Sequence, residues 1–222
     1  LGKYHRILGK DYLKSVPPDR EKGLEHLNMA LDFDRDNTDT LRALASYYMD
    51  QKDYDNVIKY AKTLDKKDPD LSIMLADSYR LKKKDKNMGE ALKYYDLTLA
   101  NIEDDKKQDY KKRLLEGYKD IGSYYLKAKN FDKAIQSFSG AADIDKETYK
   151  KDLAGAYIGE GLDLYKKGSE YYEKAAGFFK KAKELVKTDK KSKAYTDAVK
   201  YLAEIDNRIK EQAHSTDSSG GN

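Results

Sequence analysis

The stretch Tyr118–Lys146, YKDIGSYYLKAKNFDKAIQSFSGAADIDK, decides the fold. Tyr118, Ile121, Gly122 and Tyr125 follow at spacings of three, one and three, and Ala134, Phe138 and Ala141 at four and three. Residues three and four apart stand above one another on a helix, so each set forms one face of its own helix. The break between them is short and polar. Asn130 is placed there to cap a second helix that opens at Phe131. The spacing therefore predicts two paired antiparallel helices, each covering the other's apolar face.

The same order recurs outward from this stretch. Thr38–Asp70 carries it without insertion: Leu41, Leu44, Ala45 and Tyr48 on one face, then Val57, Ala61 and Leu64, with Asp53 at the cap, Tyr54 after it and Pro69 at the close. Before it come Leu8, Gly9 and Tyr12, then Gly23, Leu27 and Ala30. Pro17 and Pro18 belong in the loop between these sets, because proline breaks a helix interior, and Asp19 supplies the cap. A third pair holds Leu75, Ala76 and Tyr79, then Ala91, Tyr95 and Thr98, around a longer basic loop at Lys82–Gly89. Glu103–Leu114 lengthens the next first helix, since Tyr110, Leu114 and Tyr118 continue one face; Tyr149–Leu153 extends the following one. The fifth pair keeps Ile158, Tyr165, Ala175, Phe179 and Ala182 but inverts the aliphatic-glycine pair as Gly161–Leu162. Tyr195, Val199, Leu202, Ile205 and Ile209 are expected to form one face of a closing helix. His214–Asn222 has no apolar residue and is expected to be disordered.

This order of aromatic, aliphatic, glycine and tyrosine, then alanine, phenylalanine and alanine, resembles the tetratricopeptide (TPR) repeat over about Tyr4–Asp189. The resemblance implies an all-α fold: a right-handed α-α superhelix, or TPR solenoid, of about five helix-turn-helix repeats. The repeats are expected at 4–37, 38–70, 70–105, 115–148 and 155–189, with a capping helix at 192–212, all within a single domain 1–212 followed by a tail at 213–222. It also implies a non-enzymatic scaffold or adaptor that holds a peptide or protein segment in a concave groove. The ligand-facing positions of the first helices, carried over by register, include Arg6 and Lys10, Arg42 and Ser46, Asp77, and Lys119 and Ser123, with Met49, Arg80 and Leu126 beside them; in the fifth repeat they are Gly159 and Asp163. The basic members suit acidic side chains or a terminal carboxylate. TPR proteins that clamp chaperone carboxyl termini carry asparagines where this chain has Lys10, Ser46 and Asp77, so no clamp of that kind is expected.

Composition narrows the alternatives. Of 222 residues 39% are hydrophobic and 38% charged, which suits a periodic helical chain with a solvated exterior and not a disordered one. The 44 basic and 40 acidic residues are interspersed, and acidic residues interrupt the lysine runs, so no nucleic-acid partner is expected. There is no cysteine, and His5, His26 and His214 lack ligand spacing; neither a metal, a cofactor nor a catalytic constellation is expected. No apolar run reaches the roughly 18 residues of a membrane span. The chain begins at Leu1, as expected of a processed chain, and its Lys-, Asp- and Tyr-rich composition leans toward a bacterial cell envelope over a cytoplasm. Twenty tyrosines exceed what the recurring core positions use. The surplus either thickens packing between repeats or lines a groove as binding anchors; a tyrosine-lined pocket for a small molecule or glycan is the alternative function.

Overall fold

Asparagine or aspartate opens most of the helices. Asp19, Asn37, Asp53, Asp68, Asn87, Asn130 and Asp145 each accept a hydrogen bond from a backbone N–H of the turn that follows. Those amides have no partner within the helix, and each such cap contributes about 1 kcal/mol. The computed structural model describes residues 1–63, 68–83 and 86–219, and among them there are eleven α-helices and no strand. In chain order these are α1 (Gly2–Lys14), α2 (Arg20–Phe33), α3 (Thr38–Asp50), α4 (Tyr54–Ala61), α5 (Pro69–Leu81) and α6 (Met88–Asn101), then α7 (Lys107–Lys127), α8 (Phe131–Ile144), α9 (Lys146–Lys167), α10 (Tyr172–Leu185) and α11 (Lys193–Ser219). Short 3₁₀ turns at Asp104–Lys106 and Ser169–Tyr171 precede α7 and α10. This is the expected all-α helical-repeat architecture.

The chain forms two compact units, Leu1–Gly117 and Tyr118–Asn222, divided inside α7. In the first, α1 packs on α2, α3 on α4 and α5 on α6, while α2 meets α3 and α4 meets α5. Leu27, Leu44, Val57, Leu75, Tyr94 and Tyr95 are fully buried at these seams. In the second, α8 packs on α9, α9 on α10, and α11 covers both α9 and α10. Its core is built on Tyr118, Ile121, Phe138 and Phe179.

Rings laid on glycines set the helix spacing. A Cβ on Gly122 would fall 2.7 Å from the Phe138 ring, and one on Gly140 would fall 2.6 Å from the Tyr118 ring. Each helix of this pair thus receives the other's ring. The inverted pair of the fifth repeat works the same way, because Gly161 lies under Phe179, 2.7 Å from a Cβ built there. The recurring tyrosines bridge each pair as expected, but most are half-buried and not fully enclosed. Tyr12 stacks on His26, Tyr48 on Tyr60, Tyr79 on Tyr94 and Tyr165 on Tyr172. Tyr125, the buried one, carries the Lys133 ammonium 5.1 Å from its ring centre.

The two most regular turns are alike. Lys52 and Lys129, each just before a cap, have φ of 57° and 56°. The next N–H then reaches back to the carbonyls of Tyr48 and Tyr125, both at 2.9 Å.

Three expectations need adjustment. On α11 the buried residues are Ala198 and Ile205, flanked by Ala194, Tyr201 and Leu202, while Val199 and Ile209 face solvent. The stripe is rotated by about one residue, because small alanines let α11 approach α9 and α10 more closely than valine would. The helix also runs on to Ser219, past the expected end at 212. No glycine or proline interrupts it before Gly220. Leu64 and part of the loop at 82–89 lie outside the described residues.

Candidate functional site

In the first unit, most of the cations expected to face a ligand already have partners. Arg6 on α1 pairs with Asp39 on α3 at 2.6 Å, and Arg42 on α3 pairs with Asp68, the cap of α5. Tyr110 on α7 donates to Asp70 on α5. These contacts tie successive first helices together. Lys10, Ser46 and Met49 stay half-exposed on α1 and α3.

Asp77 and Arg80 are placed differently from what their register implies. Both are buried on α5, at 4% and 8% exposure. The Arg80 guanidinium donates to Asp77 at 3.1 Å and to the Tyr95 hydroxyl at 2.8 Å, and Tyr95 donates to Asp77. Arg113, from the lengthened start of α7, closes the group on Asp77. Burial lowers the Arg80 pKa, but the charges of Tyr95 and Asp77 outweigh it and hold the guanidinium protonated more firmly than usual. Burial first, and then the charge of Asp77, push the Tyr95 hydroxyl well above the ordinary tyrosine range. The arrangement is structural: two buried charges and a phenol that satisfy one another. Tyr95 is held there because its ring lies on Gly117, where a Cβ would come within 2.2 Å.

In the second unit the ligand-facing positions are more open. Lys119 is exposed on α7, with Ser123 and Leu126 half-buried on the same helix. Phe131, the first residue of α8, lies over Gly159 of α9, 2.3 Å from a Cβ built there. Beside it a trench of about 470 Å³ runs between α9 and α11. Gly155, Ile158, Gly159 and Leu162 form its α9 wall, and Ala194 and Asp197 stand on the α11 side. Nothing lies within 4 Å of a Cβ built on Gly155. At the rim Lys151 pairs with Asp189 at 2.7 Å. On α9, burial raises the Glu160 pKa, with the charges of Asp132 and Asp163 adding to it.

Among the described residues no group of three histidines or carboxylates is set to hold a metal, and no helix is long and apolar enough to cross a membrane. His5 and His26 meet Nδ1 to Nδ1 at 2.8 Å, with their rings stacked. A cavity in the second unit, on α9 and α10, has a single tyrosine, Tyr157, in its wall.

Helix pairs joined by capped turns, with rings seated on glycines, match a solved structure along nearly the whole chain. A TPR repeats protein from Bacteroides fragilis superposes with a TM-score of 0.56 at 17% identity, over 94% of this chain and 99% of that one. The chain has the TPR fold. The crystal structure of the MamA protein gives a TM-score of 0.50 at 20% identity, over 86% of this chain and 95% of that one. No protein-family model matches the sequence, and no curated protein does either. Within the TPR register, the first-unit positions hold repeats to one another, whereas the second-unit positions leave an open trench. Arg113 and Tyr110 tie α7 to α5 without any sequence signal of that role. They belong to the stretch read as a mere lengthening of α7, and their distance in sequence from Asp77 and Asp70 leaves no periodic trace.

Proposed function

We propose that the chain is a non-enzymatic TPR scaffold that holds an extended peptide segment of a protein partner across the first helices of its second unit. The observation that carries this reading is the trench between α9 and α11. Its floor is apolar, it is open to solvent, and Gly155, with nothing within 4 Å of a Cβ built on it, lets a peptide backbone come close. An apolar side chain of the peptide sits in the trench, and Lys119, Ser123 and Leu126 on α7 contact the flanking residues. In the first unit, taken by itself, Lys10, Ser46 and Met49 remain available to a peptide. Arg6 and Arg42 join them only where an acidic ligand displaces Asp39 and Asp68. Asp77 and Arg80 are left out, because the chain itself covers them. The exposed cation Lys119 supports a preference for acidic residues in the ligand.

Selection from a displayed random-peptide library tests the proposal, followed by binding of the selected peptides to Gly155→Tyr. A tyrosine there fills the trench without meeting a neighbour at its Cβ. The selected peptides should bind the variant at least about tenfold more weakly, which corresponds to the loss of one modest contact. Equal binding by the variant, or a selection that yields no peptide, would remove the trench as the site.

A further inference from the structure

A second concave surface lies on the same unit, on another face of α9, and shares no lining residue with the trench. It is a cleft of about 720 Å³ between the first half of α9 and the end of α10. Leu153, Tyr157 and Leu185 form an apolar floor. Around them stand five lysines, Lys146, Lys150, Lys180, Lys181 and Lys187, against two glutamates. Both glutamates are already engaged, Glu147 by Lys150 and Glu184 by Lys187. No carboxylate pairs with Lys146, Lys180 or Lys181 among the described residues. Lys181 is nonetheless held in place, with its ammonium 5.6 Å from the Tyr157 ring centre and 5.3 Å from that of Phe178.

We propose that this cleft binds an acidic peptide segment of a partner protein, with one aromatic or aliphatic side chain flanked by carboxylates. Charge complementarity chooses the occupant. Like charges gathered at one rim repel each other, and carboxylates brought between them relieve that repulsion while gaining charge-assisted hydrogen bonds. The floor is three side chains long, which suits a single inserted residue and is too short to cover an acyl chain. A nucleic acid, whose phosphates are regularly spaced, would meet Glu147 and Glu184 within the same rim. A peptide places its carboxylates only where the lysines are.

The test is fluorescence anisotropy with a labelled pentapeptide, Asp-Asp-Phe-Asp-Asp, and three comparison ligands: its central-serine analogue, Lys-Lys-Phe-Lys-Lys, and a short oligothymidylate. The acidic phenylalanine peptide should bind, weaken with salt, and lose about tenfold or more in affinity to Lys180→Glu/Lys181→Glu. Both lysines are solvent-exposed, so the variant should keep its helical circular dichroism. Gly155→Tyr should bind this peptide as the native chain does, which separates failure of the cleft from failure of the trench. An unchanged affinity in the double variant would overturn the proposal. So would equal or tighter binding of the oligothymidylate, of the serine analogue or of the lysine peptide, and so would no binding of the acidic peptide at all.

Discussion

Arg113 on α7 donates to a single carboxylate oxygen of Asp77 on α5, through Nε at 2.9 Å and Nη2 at 2.7 Å. The other oxygen of Asp77 accepts from Arg80 and Tyr95. One buried carboxylate therefore balances two guanidinium groups and orients a phenol, and the longer first helix of the fourth repeat is fastened to the third through it. A charge in that position is stable only as part of the whole group.

Removing the carboxylate should be severe. Asp77→Ala withdraws the buried carboxylate that Arg80 and Arg113 share and is expected to cost about 3–5 kcal/mol in urea unfolding. Arg113→Ala removes a side chain that is 40% exposed and should cost only about 1 kcal/mol. Equal costs for the two variants would mean that Asp77 is not the centre of the group.

Two glycines with similar helical settings should respond in opposite directions. Gly117→Leu drives a side chain into the Tyr95 ring and should destabilise by about 1–3 kcal/mol or more. Gly177, in the middle of α10, has nothing within 4 Å of a Cβ, so Gly177→Ala should stabilise by about 0.4–1 kcal/mol. Thermal unfolding of both variants beside the native chain checks the pair.

The turn before Asn130 holds Lys129 at φ 56°, where an L side chain is strained and glycine is not. Lys129→Gly should raise stability by up to about 1 kcal/mol, even though it also frees the unfolded chain. Lys52→Gly, in the matching turn, should behave alike. A clear loss in both would show that the lysine side chains, and not the backbone, dominate these turns.

Alkaline pH should loosen the first unit. Burial and then the hydrogen bond to Asp70 push the Tyr110 hydroxyl up to about 12, and Tyr95 is also raised, by burial and by Asp77. The folded chain holds these protons more tightly than the unfolded one, whose tyrosines ionise near 10. The stabilisation is therefore complete below about pH 10 and is lost as pH rises through the folded values. The urea midpoint should fall between about pH 9 and about pH 11, and Tyr95→Phe with Tyr110→Phe should flatten that fall.

Periodicity reports what each helix buries. It located the helix pairs, and polar residues at the breaks located caps such as Asp53 and Asn130, because both signals lie within a few residues of sequence. It could not report what an exposed-looking charge meets after folding. Asp77 and Arg80 hold ligand-facing register, yet Arg113 reaches Asp77 from 36 residues away, and no spacing rule spans that gap. Arg6 and Arg42 read as a basic groove for the same reason, since Asp39 and Asp68 belong to neighbouring helices. On α11 the hydrophobic pattern was read through its large residues, whereas Ala194 and Ala198 decided which side turned inward. The cleft on α9 and α10 was hidden among lysine runs that alternate with acids along the chain but gather once the helices pair.

The division at Gly117 and Tyr118 falls in the middle of an unbroken helix, with Gly117 seated under a ring of one unit and Tyr118 reaching a glycine of the other. Anyone dissecting the protein for separate expression would thus find no natural seam there. A fragment trimmed at the contact boundary would end on a severed helix and expose the surface that its missing turns had sheltered, so either half should be made with Lys107–Lys127 intact.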